Sequence, residues 1–314
     1  MISCTMYIRT NKILSVVLRP LIWVTEWLGV QHPVLLVRIR YFVRFHRPID
    51  LQHPRTLNEK ILYLSLKTNT SQWTTCADKY AVRKYVEECG CSDTLVKLYG
   101  VWDKAEDIDF DALPQQFVLK GNHGSGDVVI VTDKEQLDRK AVIKKFSEDL
   151  KKKYGALEGG LHYMRIEPKV IAEELIMNDD KTKLFSSSIV DYKIWCFNGK
   201  PQFIWVSYDR HGNYKKHMMY DTDWHAHPEY LIYDKDYIQG EIIPKPENFK
   251  EMLRIAELLS RPFPQVRCDL YNINGKIYFG ELTFTGRGGM MKNYTDQFQL
   301  LAGKMIMLSN NHNQ

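Results

Sequence analysis

The sequence predicts an α+β protein whose strands are mostly paired as antiparallel hairpins. Two observations carry this. The first hundred residues place apolar side chains at helical spacing, and beyond Asp111 short β-rich runs alternate with glycine turns and a few helical stretches. With 44% apolar and 26% charged side chains, the 314 residues suit one large domain or two modest ones and exclude wholesale disorder. A formal net charge of +5 is too small to argue for a nucleic-acid partner.

That charge sits at one end. Residues 1–50 hold seven Lys/Arg against Glu26 and Asp50, so the remainder is neutral. From Ile8 to Phe45 apolar and basic residues alternate at roughly helical spacing, with breaks expected at Pro20 and Pro33. Arg19, Glu26, Arg38 and Arg40 interrupt any long apolar run, which argues against a spanning helix or a cleaved signal. Two readings stay open: a helical cap packed on the main domain, and peripheral membrane contact through residues 1–50. Cys4, Cys76, Cys89, Cys91, Cys196 and Cys268 have no zinc-ligand spacing and read as reduced thiols of a cytoplasmic chain.

The elements follow in order. TLNEKILYLSL from Thr56 is a helix, with Thr56 as N-cap and Glu59 completing a capping box. A second helix covers Asp78 to Cys89, stopped by Gly90. QFVLKGNHGSGDVVIV gives strands at Phe117–Lys120 and Val128–Val131 around a glycine turn. Lys134 to Tyr154 reads as one helix, with Lys151 to Lys153 as its solvated end. Val170 to Ile176 is a third strand. Two aromatic-rich strands, DYKIWCF and KPQFIWVSY, join at Asn198-Gly199. A helix over Phe249–Ser260 precedes a hairpin turning at Asn274-Gly275, and a last helix runs from Asp296 to Leu308.

Three segments carry chemistry. Lys120 at a strand end, followed by Gly121, Gly124 and Gly126, sets a cation beside a backbone that phosphate oxygens can approach. It is not a P-loop, because no GK[ST] and no helix follow. KVIAEELI offers acceptors framed by aliphatic side chains, suited to an adenine, or else is an edge strand with charges outward. In VRCDLYNINGKIYFGELTF, alternation groups Arg267, Asp269 and Tyr271 on one face, and pairing across the turn brings Asp269 near Glu281. Two such carboxylates repel unless a cation lies between them, and hard oxygens there suit Mg²⁺. Without metal, removing one charge is expected to raise stability.

In this order the pieces resemble the ATP-grasp superfamily, and within it the TupA-like family of bacterial surface-polysaccharide clusters. LNEKILYL, CADKYAVRKYV, FVLKGNHGSGDVVIV, IAEELI, DYKIWCFNGKPQFIWV and VRCDLYNINGKIYFGELTF carry the likeness over residues 55–285. The resemblance implies two α+β subdomains clamping ATP. It implies a helical segment over 1–55, the first part of the grasp unit over 56–115, a lid subdomain over 116–178, and a metal-bearing subdomain over 179–314. Lys79 and Lys120 match phosphate lysines, Gly124-Ser125-Gly126 the lid loop, Glu173 and Ile176 the adenine hinge, and Asp180 the ribose position. Lys193 matches a γ-phosphate lysine. Asp269 and Glu281 match the magnesium carboxylates, with Thr283 where the superfamily has asparagine. His123, Arg267 and Arg287 are assigned to the substrate side, His123 and Arg287 without a superfamily counterpart.

The implied activity is ADP-forming ligation of a carboxylate to an amine through an acyl phosphate, with ATP and Mg²⁺ as cofactors. Its implied partners are a small-molecule or glycan carboxylate, with a uronic acid foremost, and an amino acid. A cytoplasmic location at the inner face of the membrane goes with it. Two alternatives stand beside it: a glycosyltransferase using Asp221-Thr222-Asp223, and a non-catalytic nucleotide-binding module.

Overall fold

The computed structural model describes residues 12–211, 214–235 and 237–308. Cys4, Arg9 and the beginning of the helical reading at Ile8 lie outside them. In chain order the elements are α1 (Lys12–Gln31), α2 (Pro33–Phe45), α3 (Leu57–Lys67), α4 (Ser71–Ala77), α5 (Val82–Glu88), β1 (Leu98–Trp102), β2 (Phe117–Gly121), β3 (Val128–Val131), α6 (Arg139–Asp149) and α7 (Leu161–Met164). There follow β4 (Val170–Glu173), α8 (Asp180–Lys183), β5 (Asp191–Phe197), β6 (Lys200–His211), β7 (Tyr214–Asp221), β8 (Tyr237–Gln239), α9 (Phe249–Ser260), β9 (Gln265–Ile273), β10 (Lys276–Thr283) and α10 (Asp296–Met305).

Two sheets organise them. The smaller has the order β1-β4-β2-β3, antiparallel throughout. β1 belongs to it although it precedes the expected boundary at residue 116. α6 covers this sheet through Val142 and Phe146, packed on Phe117, Leu119 and Val170. The larger sheet runs β10-β9-β5-β6-β7-β8, antiparallel except for the parallel β7–β8 pair. Met252, Ile255, Ala256 and Leu259 of α9 share a core with Ile194, Cys196 and Cys268 of that sheet. The fold is α+β.

Local chemistry explains most element ends. Thr56 accepts from the Glu59 amide while the Glu59 carboxylate accepts from the Thr56 amide, closing the capping box that starts α3. Asn198-Gly199 and Asn274-Gly275 all take positive φ, the geometry of two-residue turns whose twist matches that of their strands.

Several expectations are corrected. α1 runs through Pro20, because one proline removes a single ladder bond while the turns on either side persist. Pro33 does mark a boundary, as the first residue of α2. The helix expected over Lys134–Tyr154 is shorter, since Asp138 caps the Ala141 amide and starts α6 there. Lys151 to Lys153 lie past its end, and Lys152 turns inward to Asp127 and Asp149. The strand from Val170 stops at Glu173, short of Ile176. It is central and wholly buried, which removes the edge-strand reading. α4, α7, α8, β1, β7 and β8 had no counterpart in the expectations, the helix from Asp78 begins only at Val82, and the last helix ends at Met305. The five described cysteines are free thiols.

The two N-terminal helices differ in how far they pack on the rest of the chain. Leu36, Val37 and Tyr41 of α2 are buried with Ile49, Leu51, Leu62 and Met290, so α2 is a packed cap. On α1, Leu21, Trp23 and Trp27 stay 62%, 66% and 47% exposed. A chain beginning at Asp50 is therefore expected to melt well below the full chain, since each lost core side chain contributes about 1.5–3 kcal/mol. One beginning at His32 keeps these contacts and is expected to fold. Melting curves of the two truncations decide it, and equal stability in both would remove α2 from the core. Among the described residues no helix is long and apolar enough to cross a membrane.

Candidate functional site

The site lies between the two sheets and is assembled by strand register. Lys193 on β5 stands opposite Asp269 on β9 and opposite Trp205 on β6, and Asp269 stands opposite Glu281 on β10. Residues facing one another across a ladder share a sheet face, so lysine and acids converge. The Asp269–Glu281 pairing does not follow from the turn alone. Straight pairing from Asn274-Gly275 would put Gly280 opposite Asp269 and turn Glu281 to the other face. A bulge between Phe279 and Glu281 adds the residue that restores it. Only glycine fits there: a Cβ on Gly280 would come within 2.9 Å of the Asp269 carbonyl oxygen.

The expected repulsion between the two acids is absent, because Arg267 lies between them. Its guanidinium donates to both Asp269 oxygens, at 2.7 and 2.6 Å, and stands 3.5 Å from Glu281. Lys193 adds a second cation, 2.9 Å from Asp269 and 2.9 Å from Asp191. Burial pushes the Asp269 carboxyl up, against the pull of Arg267 and Lys193. Asp191 is also buried, yet Lys193 and Arg210 hold its carboxyl low. Glu281 remains 43% exposed, and despite the cost of burial Lys79, Arg267 and Lys193 keep it low. Thr283 donates to Glu281 at 2.7 Å and accepts from Arg267 at 3.1 Å, so its hydroxyl orients the carboxylate.

The smaller sheet faces these groups. Lys120 on β2 pairs with Glu173 on β4 at 2.5 Å, and Arg83 of α5 reaches the same carboxylate at 3.5 Å. Lys79 donates to the Gly124 carbonyl. Burial lowers its pKa, while Glu281 and Asp127 act in the other direction. The loop after β2 is pinned at its base, where the Gly121 amide donates to the Asp127 carbonyl. His123 in that loop is buried, both ring nitrogens without a partner among the described residues, and burial lowers its pKa. Gly124 is held close, since a Cβ there would lie 2.9 Å from Asp127 and 3.3 Å from Tyr154, whereas Ser125 and Gly126 are exposed.

Lys79, Lys120, Arg83 and Glu173 line a cleft with Leu95, Val96, Phe279 and Gly280. Its free space is about 10 Å³, roughly that of one water. Ile176 is half-buried beyond the end of β4. Asp180 is exposed and paired with Lys183, whereas its neighbour Asp179 is buried, capping Thr182 and accepting from the Asn274 amide. Arg287 lies in a left-handed turn (φ 52°) with its guanidinium 4.6 Å over the Tyr237 ring.

Asp191, Arg83 and Arg210 were missed from sequence. Asp191 was findable, because it shares Lys193's face in DYK, and Arg83 follows Lys79 by four residues. Asp221 serves a turn: it accepts from the amides of Asp223 and His225 and from the rings of His225 and His227. Asp221, Asp223 and His225 each offer a ligand atom within 4.8 Å of the others.

No curated protein matches the chain. Solved structures similar to it include a D-alanine–D-alanine ligase from Bacillus anthracis, at 19% identity and TM-score 0.46, over 75% of this chain and 65% of that one. An L-amino acid ligase from Bacillus licheniformis is similar at 13% identity and TM-score 0.45, over 74% and 49%. A D-Ala:D-Ser ligase from Enterococcus faecalis is similar at 14% and 0.43, over 76% and 62%. The chain spans less than two thirds of the length of each. A family model, TupA-like ATPgrasp, matches residues 59–307, most of the chain, and every strand and all but the first three helices described above fall wholly within that match. The chain belongs to the TupA-like ATP-grasp family.

Proposed function

We propose that the chain is an ATP-dependent, ADP-forming carboxylate–amine ligase. The observation that carries this is the convergence of Lys79, Lys120 and Lys193 with Asp269 and Glu281 between two sheets, in a chain of this family. Lys79 and Lys120 neutralise the triphosphate and Lys193 the transferred phosphoryl group. The adenine lies among Leu95, Val96, Phe279 and Ile176, read by Glu173, with Asp180 toward the ribose. The Gly124-Ser125-Gly126 loop excludes water. Glu281, a half-exposed carboxylate oriented by Thr283, suits Mg²⁺, and Asp269 would join it where an oxygen is released by Arg267 or Lys193. When bound, the ion would lower the charge on the triphosphate.

In the reaction a carboxylate oxygen attacks the γ-phosphorus and ADP leaves. The amine then attacks the acyl carbon and phosphate leaves, forming the amide. Arg267 and Arg287 flank the reacting carboxylate, and His123 closes the loop side. The substrates are a uronic acid and an amino acid in surface-polysaccharide assembly, at the cytoplasmic face of the membrane. Trp23, Trp27, Phe42 and Val43 support that location, being exposed on a segment of net positive charge.

The test is ADP release over a panel of uronic acids and amino acids with ATP and Mg²⁺. ADP appearing only when both a carboxylate and an amine are present is the expected result. Preferential binding of a UDP-sugar over ATP would favour a glycosyltransferase, and ATP binding without turnover on any pair a non-catalytic module.

A further inference from the structure

The face that carries Lys193 and Asp269 continues across β6, β7 and β8 into a second polar patch. Trp205 stands opposite Lys193, and His217 is reached from Asp191 through Ser207. Tyr237 stacks on His217 with ring centroids 4.5 Å apart and planes at 13°, and Trp205 lies 5.2 Å from the same imidazole. Asn293 and Tyr233 close the patch.

Six of its side-chain polar atoms have no partners among the described residues. Trp205 Nε1, both His217 nitrogens, the Tyr233 hydroxyl and both polar atoms of the Asn293 side chain make no hydrogen bond among the described residues. Nor is there room between them for a water. Folded chains satisfy nearly all their buried polar atoms. Six orphans from four side chains, meeting beside stacked aromatic rings, mark a place where another molecule completes the set. An aromatic ledge edged with donors and acceptors suits a hydroxyl-bearing ring, whose faces are apolar and whose rim is polar.

The surrounding charge narrows the ligand. Lys215 pairs in register with Tyr237 and is half-buried, and Arg287 lies over the same ring. Burial and the nearby Lys215, Lys193, Arg210 and Arg287 hold His217 down at about 3, so it is neutral and offers one donor and one acceptor. An ammonium group is repelled here and a carboxylate attracted. The amine substrate therefore belongs elsewhere.

We propose that this ledge is where the carboxylate substrate binds, with a hydroxyl-bearing ring completing these four side chains. The ring lies against Trp205 beside the stacked Tyr237–His217 pair, its hydroxyls complete Asn293, Tyr233 and His217, and its carboxylate points toward Lys215 and Lys193. One strand spacing of roughly 5 Å separates Trp205 from Lys193, which sets that carboxylate beside the phosphoryl group. Assignment as a substrate site rests on the ligase reading. Entry requires the segment Leu231–Tyr233 to lift, and the Ile232 amide donating to the Asn293 backbone carbonyl at 2.8 Å fastens it.

The experiment uses methyl glucuronide and methyl glucoside as probes, with ATP affinity measured by calorimetry in the same samples. In wild type, saturation transfer from aromatic protein protons to the ring protons of the glucuronide is expected, with the glucoside at least tenfold weaker. Asn293→Leu and Lys215→Met are each expected to weaken glucuronide binding at least tenfold and to leave ATP affinity within twofold. Lys215→Met should also erase the preference over glucoside, and Lys215 is only half-buried, so that variant spares the core. Absence of transfer in wild type, or unchanged glucuronide affinity in both folded variants, overturns the ledge. Failure of wild type to bind ATP sinks the ligase reading alone, because the glucuronide measurements still decide the ledge.

Discussion

Asp269→Asn is expected to abolish ADP production and also to destabilise the fold by about 3–5 kcal/mol, the usual cost of stripping one partner from a buried ion pair. Asp269 is 2% exposed and answers two cations, Arg267 and Lys193. An asparagine there turns an amide N–H toward a guanidinium and leaves positive charge uncompensated. The melting temperature should fall by roughly 5–10 °C. This reverses what the sequence implied, since two bare opposed acids would gain stability from losing a charge. Glu281→Gln is the contrast. Glu281 is 43% exposed and 3.5 Å from Arg267, so its loss should cost little stability while turnover collapses. Melting curves beside ADP production across a magnesium titration separate the two. Near-normal turnover in a folded Glu281→Gln would take the carboxylate pair out of the catalytic site.

Lys120→Ala is expected to weaken ATP binding at least about tenfold, because a charge-assisted phosphate contact contributes roughly 1.5–3 kcal/mol. Folding should survive, as Glu173 keeps Arg83. Glu173→Gln probes the other half of the pair. If Glu173 reads the adenine, that change weakens ATP but not inorganic triphosphate. Calorimetry on both ligands tells the roles apart, and unchanged ATP affinity in Lys120→Ala would remove the phosphate assignment.

What was legible in the sequence followed local rules. The capping box at Thr56 and Glu59, the two Asn-Gly turns and the 3.6-residue rhythm of α9 are each written within a dozen residues. What was hidden depended on distant partners. β7 opens with Tyr214, Lys215 and Lys216, which read as loop until β6 supplies a ladder, and β8 is three residues long. Asp269 and Glu281 were rightly brought together, but by a pairing that ignored Gly280. Nothing in the residue types of KIYFGELT distinguishes a bulge from a weak point in a strand. Arg267 was expected to face a substrate, although the alternation that sets it on Asp269's face, two residues away, already allowed the buried fork between them.

The cleft lined by Lys120 and Glu173 has consequences for the rate and strength of nucleotide uptake. Its cations are already engaged: Lys120 with Glu173, Lys79 with the Gly124 carbonyl, and Lys193 with Asp191 and Asp269. A triphosphate must part these pairs and widen a space now fit for about one water. Only the fraction of molecules caught parted is competent, and the apparent dissociation constant is the intrinsic one divided by that fraction. A one-in-a-hundred competent population would make ATP look about a hundredfold weaker than its contacts warrant. At high ATP, uptake would level off at the rate of parting. Residues that set this ceiling, Glu173 on Lys120 and Asp191 on Lys193, need never touch the phosphates.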